Sequence, residues 1–172
     1  FGVAEDHDSN PIKRGLGKLK DRSAKIVAIN PVRTGYNSIA DEWVGIRPGT
    51  DGLLVLSLVH ILLKRKKIDL EYLQSFTNAP FLVNISSTDI NKGLFLKDKN
   101  DTPLVIDHFS GELKRFSDKG VKPSLTKSHS NQNGSFKTVF SLLTEKYLDD
   151  AYSPNLIAPQ CGLKEEQILS LA

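Results

Sequence analysis

One apolar strand, with the turn that ends it, constrains most strongly what this chain can fold into. The run Lys25-Ile26-Val27-Ala28-Ile29 is continuous and rich in β-branched residues rather than alternating, which is typical of a strand covered on both faces. The turn dipeptide Asn30-Pro31 ends it. Because strands alternate with helices over the first eighty residues, the sequence predicts a three-layer α/β fold with a mostly parallel sheet.

Hydrophobic periodicity and helix-end signals predict further elements. In chain order they are the end of a strand at 1–4, a basic helix at 11–23, a helical turn at 39–41, a strand at 43–46, a helix to about residue 66 capped by Thr50 or Asp51, and helices at 69–76, 138–147, 153–161 and 164–172. The apolar stretch 53–63 predicts that its helix is buried on most sides. It is shorter than the roughly 20 residues that cross a bilayer, so we expect no membrane span.

Residues 84–135 differ in character from the rest of the chain. They are rich in Asp, Lys, Ser, Asn and Gly, with short apolar runs separated by turn signals, which predicts small β-hairpins and a disordered tip at 128–134. We therefore expect residues 1–172 to form a single α/β domain with a β-rich insertion at about 84–135. The insertion is either a subunit contact or a surface elaboration.

Composition excludes several classes of function. The net charge of +3 is small and scattered, which argues against a nucleic-acid surface, and the run Lys64-Arg65-Lys66-Lys67 is typical of a solvated helix end. A single cysteine, Cys161, cannot form an internal disulfide or by itself hold an iron–sulfur cluster. The start has no signal-peptide pattern and the chain has no methionine, so we expect an internal piece of a larger protein, cytoplasmic rather than periplasmic, with its compartment otherwise unknown.

The sequence of two loops predicts that they form half of a nucleotide-binding pocket. The first, Asn30-Pro31-Val32-Arg33-Thr34, follows the strand, and the second, Arg47-Pro48-Gly49-Thr50-Asp51, leads into the apolar helix. In open α/β sheets, ligands bind beyond the carboxyl ends of parallel strands, where loops and helix N-termini present donors. Both loops could close on one nucleotide.

Several pieces of the chain, in order and at consistent spacing, carry a resemblance to a known family. The pieces are the first strand with its Asn30–Thr34 loop, Ala40-Asp41-Glu42-Trp43 with Ile46-Arg47-Pro48-Gly49-Thr50-Asp51, Ile68-Asp69-Leu70-Glu71-Tyr72-Leu73, Thr77-Asn78-Ala79-Pro80-Phe81-Leu82-Val83, and Tyr152-Ser153-Pro154 through Cys161-Gly162 to Ile168. Together they resemble the molybdopterin oxidoreductases of the dimethyl sulfoxide reductase type, which include formate dehydrogenases and nitrate reductases.

The resemblance implies a role for the chain. In that family the large subunit surrounds molybdenum or tungsten held by two molybdopterin guanine dinucleotides, and this chain resembles one internal Rossmann-like domain that binds the guanosine part of one cofactor. The resemblance implies as partners the remaining domains of the parent and an electron-transfer subunit. An iron–sulfur cluster could occur in the parent but not here. With no metal ligand or catalytic residue assigned, we expect the isolated chain to be inactive.

The resemblance also implies cofactor-binding residues in the second loop. Asp51 would accept two hydrogen bonds from guanine, although the residue type alone favours an ordinary helix N-cap. Gly49 would allow close backbone approach and Thr50 would meet a polar edge of the ligand, or both would simply form a turn.

In the first loop, Asn30 stands where the family commonly has aspartate, facing the ribose hydroxyls. Pro31 and Val32 complete its turn, and Arg33 and Thr34 follow the family pattern, with Arg33 suited to a diphosphate oxygen or to stacking on the base. Gly2 matches the family's first phosphate-binding loop, without its usual asparagine.

Other candidates have simpler explanations. His60 is more consistent with a core residue than with a ligand, and Cys161 with a small buried side chain. Gly15-Leu16-Gly17 lacks the third glycine of a dinucleotide fingerprint. The alternative for the whole chain is a free-standing nucleotide-binding regulatory module without redox activity.

Overall fold

The computed structural model describes residues 11–33, 35–87, 89–132 and 134–172. Their fold is mixed α/β, which confirms the predicted class. The helices are α1 (Pro11–Asp21), α2 (Asp51–Lys64), α3 (Leu70–Phe76), α4 (Val139–Tyr147), α5 (Pro154–Cys161) and α6 (Glu165–Leu171), with short 3-10 helices at Gly35–Ser38 and Asp150–Tyr152. The strands are β1 (Val27–Asn30), β2 (Glu42–Gly45), β3 (Leu82–Asn84), β4 (Leu104–Ile106), β5 (Leu113–Arg115), β6 (His129–Asn131) and β7 (Gly134–Thr138).

These elements form two compact units. Unit 1 holds the described residues up to Arg65 together with Asp149–Ala172, and unit 2 is Lys66–Leu148. The second unit contains the predicted insertion and extends beyond it on both sides. Assignment of the whole chain to a single domain stays a prediction.

Unit 1 is built on the parallel pair β1–β2, packed with α2, α5 and α6. In register, Val27 lies opposite Glu42 and Asn30 opposite Gly45. Its core joins the strands to the three helices through Ile29, Val44, Ile46, Leu54, Ile61, Ile157, Ala158, Cys161, Leu163 and Ile168. Helix α5 begins with Pro154 at its first turn and ends at Gly162, whose φ of 72° is readily adopted by glycine.

Unit 2 is antiparallel. Strand β7 lies between β3 and β6, and β4 and β5 form a separate hairpin. Leu82, Ile106 and Phe136 pack together as its core. The pairings observed in this unit are antiparallel, so among the described strands the predicted parallel pairing is confined to β1 and β2. The three-layer Rossmann-like arrangement stays a prediction.

Three local expectations were wrong. A disordered tip is predicted at residues 128–134, but β6 and the start of β7 lie there, because His129 pairs with the buried Phe136 and Ser130 with Ser135 through the backbone. The helical turn lies at Gly35–Ser38 rather than at 39–41. Helix α2 buries one stripe, Leu54, Ser57, His60 and Ile61, while other apolar side chains of that helix are half-buried or exposed.

The predicted end of a strand at 1–4 lies outside the described residues.

Candidate nucleotide-binding site

The parallel pair brings the two predicted loops to one edge of the sheet. Asn30 and Gly45 are register partners at the carboxyl ends of β1 and β2. The chain therefore leaves the sheet at the same edge into Pro31, Val32 and Arg33 on one side and into the Arg47 turn on the other. This is the edge at which open α/β sheets bind ligands.

The second loop is a tight, anchored turn. The backbone N–H of Thr50 donates to the carbonyl of Arg47 at 3.3 Å, and the Thr50 hydroxyl donates to the same oxygen at 2.7 Å. Gly49 has a φ of +80°, and a Cβ there would meet nothing within 4 Å. With proline before it, this is the residue pattern of a type II turn. The Arg47 N–H donates to the carbonyl of Cys161 at 2.9 Å, which fastens the turn to the end of α5.

Asp51 is the first residue of α2, and its carboxylate is not used by the helix. The N-cap is Thr50, so the alternative in which Asp51 serves as the N-cap is wrong. The Asp51 side chain is half-buried and accepts no hydrogen bond from the described part of the chain. A carboxylate at the first turn of a helix is stabilised by the helix dipole. Its oxygens remain available to a ligand.

Asn30 is almost fully buried at the end of β1, with 2% of its surface exposed. Its Oδ1 accepts a hydrogen bond from the indole N–H of Trp43, with Nε1 to Oδ1 at 3.0 Å. Because an indole N–H can only donate, this bond fixes which end of the Asn30 amide carries the oxygen. The Nδ2 group donates to no atom of the described residues.

Trp43 contacts Asn30 and Arg33 of the first loop and was missed as a site residue by the sequence analysis. It stands on β2 with 36% of its surface exposed, and the Arg33 guanidinium lies 5.9 Å from its ring centroid, within cation–π range. The signal that could have identified it is Gly45, two residues later on the same strand and therefore on the same face. A glycine there leaves room for the large ring.

The remaining predicted residues fall into two groups. Gly2 and Thr34 lie outside the described residues. His60 and Cys161 are buried in unit 1, as expected of core residues, and Gly15 and Gly17 lie within α1. Over the described ranges, no group of three or more His, Cys, Asp or Glu side chains could hold a metal ion, and no helix is long and apolar enough to cross a membrane.

Comparison with known proteins decides the family. The chain is 34% identical over 184 residues to one subunit of the sulfite dehydrogenase of Allochromatium vinosum, a match that covers 100% of the chain and 19% of that protein. The chain is homologous to the molybdopterin oxidoreductases of the dimethyl sulfoxide reductase type. This confirms the resemblance drawn from its motifs.

Two further relatives in this family match about half of the chain. The nitrate reductase alpha chain of Bacillus subtilis is 31% identical over 93 residues, covering 49% of the chain and 8% of the relative. The molybdopterin-containing subunit of the thiosulfate reductase of Salmonella typhimurium is 30% identical over 76 residues, covering 44% and 9%. The chain thus spans 8% to 19% of the length of these oxidoreductase subunits. No protein-family model matches it.

Proposed function

We propose that this chain is a domain of a molybdenum or tungsten oxidoreductase and that it binds the guanosine part of a molybdopterin guanine dinucleotide. One observation carries the proposal: the Asp51 carboxylate and the Nδ2 group of Asn30, neither of which has a partner among the described residues, lie at the same edge of the parallel pair. The homology to molybdopterin oxidoreductases supports the choice of cofactor.

Asp51 selects the base. Guanine presents its N1–H and its exocyclic amine side by side, and a carboxylate accepts both, whereas adenine offers no such pair of donors. The Asp51 carboxylate suits this role because no described residue donates a hydrogen bond to its oxygens, so both can accept from guanine. Thr50, whose hydroxyl is turned back to the Arg47 carbonyl, contributes the turn rather than a side-chain contact.

The first loop and the Gly49 turn bind the rest of the nucleotide. Asn30 supplies a donor to the ribose, and Arg33, exposed beside Trp43, supplies charge for a diphosphate oxygen or a flat surface for the base. Gly49 leaves open space above its backbone for close approach of the ligand. Pro31 and Val32 shape the turn, and Thr34 and Gly2 stay candidates through the family resemblance alone.

The cofactor, when bound, supplies the redox chemistry of the parent enzyme, and this chain binds and orients its nucleotide end. The parent would add its remaining domains, any iron–sulfur cluster and an electron-transfer subunit. In this proposal residues 1–172 form one Rossmann-like domain of the parent, elaborated by the insertion at 84–135. The chain alone would have no redox activity.

Calorimetric titration of the folded 172-residue chain with GDP, and with ADP in parallel, tests base selection. We expect weak binding of GDP, undetectable binding of ADP, and loss of GDP binding in Asp51→Asn. Trp43 is the single tryptophan, so quenching of its fluorescence by GDP would report binding at this edge of the sheet.

Asp21→Asn is the matched control, because it makes the same chemical change at an exposed position of unit 1 at the end of α1. It should bind GDP like the unsubstituted chain. Equal binding of GDP and ADP, or GDP binding that survives Asp51→Asn, would contradict the proposal.

A further inference from the structure

The buried amide of Asn30 has one end bonded and one end without a partner. Oδ1 accepts from the Trp43 indole, whereas Nδ2 donates to no described residue although 2% of the Asn30 surface is exposed. The buried side-chain atoms without a partner among the described residues do not include Nδ2, so this donor is open at the edge of the sheet. A donor that is open at this edge can bond to an acceptor of a bound ligand.

The indole that sets this orientation is itself held in place. Trp43 lies across Gly45, where a Cβ would come within 2.7 Å of its ring, and the Arg33 guanidinium is 5.9 Å from its ring centroid. An asparagine amide without such a neighbour can turn over and exchange its donor end for its acceptor end. Here a donor-only neighbour removes that freedom.

We propose that Trp43 is a positioning residue for sugar recognition: it holds Asn30 so that Nδ2 faces the nucleotide and donates to an oxygen of the ribose hydroxyls. This inference rests on the proposed function and adds a residue to it. Trp43 acts through Asn30, so its removal should affect discrimination between ribose and sugars without hydroxyls. Base selection by Asp51 should be unaffected.

A carboxylate at this position would not need Trp43. Its two oxygens are equivalent, so either orientation presents an acceptor to the sugar while the other oxygen accepts from the indole. Asparagine presents a donor in one orientation and an acceptor in the other, and a ribose hydroxyl can bond to either, so in the asparagine background the indole decides which end of the amide faces the sugar. The two side chains therefore define a double-mutant cycle. Loss of the indole N–H should change ribose discrimination when residue 30 is asparagine but not in Asn30→Asp.

The test is calorimetric titration of the 172-residue chain with GDP and with dideoxy-GDP, which lacks both ribose hydroxyls. We expect the unsubstituted chain to bind GDP about threefold to tenfold more tightly, the range of one neutral hydrogen bond. Trp43→Phe, which keeps an aromatic ring but has no N–H, should lower this ratio, because the Asn30 amide is no longer held in one orientation. In Asn30→Asp the ratio should persist, both with Trp43 and with Trp43→Phe.

A second readout examines the indole directly in the free protein. The single tryptophan gives one indole N–H signal in a proton–nitrogen spectrum. It should shift upfield and exchange faster with solvent in Asn30→Ala, but stay close to its original position in Asn30→Asp. Far-UV circular dichroism of each variant checks that it is folded.

Each outcome of these experiments supports or overturns the role of Trp43 or the proposed function. A ratio that stays unchanged in Trp43→Phe, or that falls equally in the Asn30→Asp background, overturns the role of Trp43 while GDP-over-ADP selection through Asp51 leaves the proposed function intact. An indole signal unaffected by Asn30→Ala also overturns it. Absence of GDP binding to the folded chain overturns both proposals, and loss of base selection alone overturns the role of Asp51 in the proposed function.

Discussion

The indole ring of Trp43 lies across the backbone of Gly45, where a Cβ atom would come within 2.7 Å of the Cη2 atom of the ring. The two residues are two positions apart on β2, and the ring of Trp43 occupies the space that a side chain at position 45 would fill. Because the same indole donates to Asn30, the absence of a side chain at Gly45 determines the geometry of the predicted sugar contact.

Gly45→Ala should displace the indole. The added methyl cannot be accommodated without moving the ring, and because 36% of the Trp43 surface is exposed the ring can move outward, so we expect a loss of at most about 1 kcal/mol in the free energy of unfolding, below the usual cost of overpacking a core. The Trp43 emission should shift to longer wavelength as the ring moves into solvent. Urea denaturation followed by circular dichroism, together with the emission spectrum of the native protein, measures both effects.

Gly17→Ala is the matched control for that substitution. Gly17 lies in α1 and a Cβ there would meet nothing within 4 Å, so alanine should leave the emission unchanged and raise stability by up to about 1 kcal/mol. If Gly45→Ala behaved like Gly17→Ala, the close packing of the indole would be refuted.

Ser57→Ala in α2 should not destabilise the protein. The Ser57 hydroxyl is fully buried and its Oγ has no hydrogen-bond partner among the described residues, so its removal relieves an uncompensated desolvation cost. Alanine also has the higher helix propensity. We expect a gain of up to about 1 kcal/mol in unfolding free energy.

The reactivity of the buried Cys161 thiol measures the stability of unit 1 and so checks the Ser57→Ala prediction. With 0% of its surface exposed, this single cysteine should react with a thiol reagent only when the unit opens, so the labelling rate in urea reports its stability. Leu54→Ala, at a fully buried position of the same helix face, should lose about 2–5 kcal/mol and serves as the positive control. A comparable loss in Ser57→Ala would contradict the prediction.

Thr138 joins the end of β7 to the start of α4 in unit 2. Its buried hydroxyl donates to the Leu125 carbonyl and its Oγ1 accepts from the Ser141 N–H at 3.1 Å as the helix N-cap. Thr138→Val keeps the shape but removes the acceptor of the Ser141 N–H and one of the two donors to the Leu125 carbonyl, which keeps the Ser141 hydroxyl at 3.3 Å. We therefore expect a loss of about 2 kcal/mol in thermal or urea denaturation. Thr138→Ser should recover most of it, and equal losses in both variants would exclude the hydroxyl as the cause.

Asp107 gives unit 2 a specific response to acid. The Ser110 N–H and hydroxyl and the Lys122 N–H donate to its carboxylate, with Lys114 nearby, and these contacts hold the pKa of Asp107 well below its usual range. A lowered pKa in the folded state contributes stability above the unfolded pKa of about 3.9, and that stability is lost as the pH falls through the folded value.

Asp107→Asn should therefore be less stable than the unsubstituted chain at neutral pH, because an amide cannot replace the charge that receives these donors. The difference in denaturation midpoint should be constant from pH 7 down to about pH 5 and should shrink at lower pH. A difference that stays constant into strong acid would show that another carboxylate causes the acid response.

Local signals predicted much of the structure. The run ending at Ile29 forms β1, proline and glycine mark the two ends of α5, and α4 lies within the predicted range 138–147, because each depends on residues adjacent in sequence. The sheet β3–β7–β6 was not predicted. Its pairs join residues far apart in the chain, such as Leu82 and Thr138, and short strands carry too little periodicity to indicate their partners.

The sequence by itself determined the mixed α/β class, the positions of most helices, the family and the two loops that we propose bind a nucleotide. Only the tertiary structure decided which side chains those loops leave available. It assigned the cap of α2 to Thr50, which leaves the Asp51 carboxylate unpartnered, and it placed Trp43 against Asn30 through the parallel register of β1 and β2. Hydrogen-bond partners across a sheet depend on packing between distant segments, which no local pattern specifies.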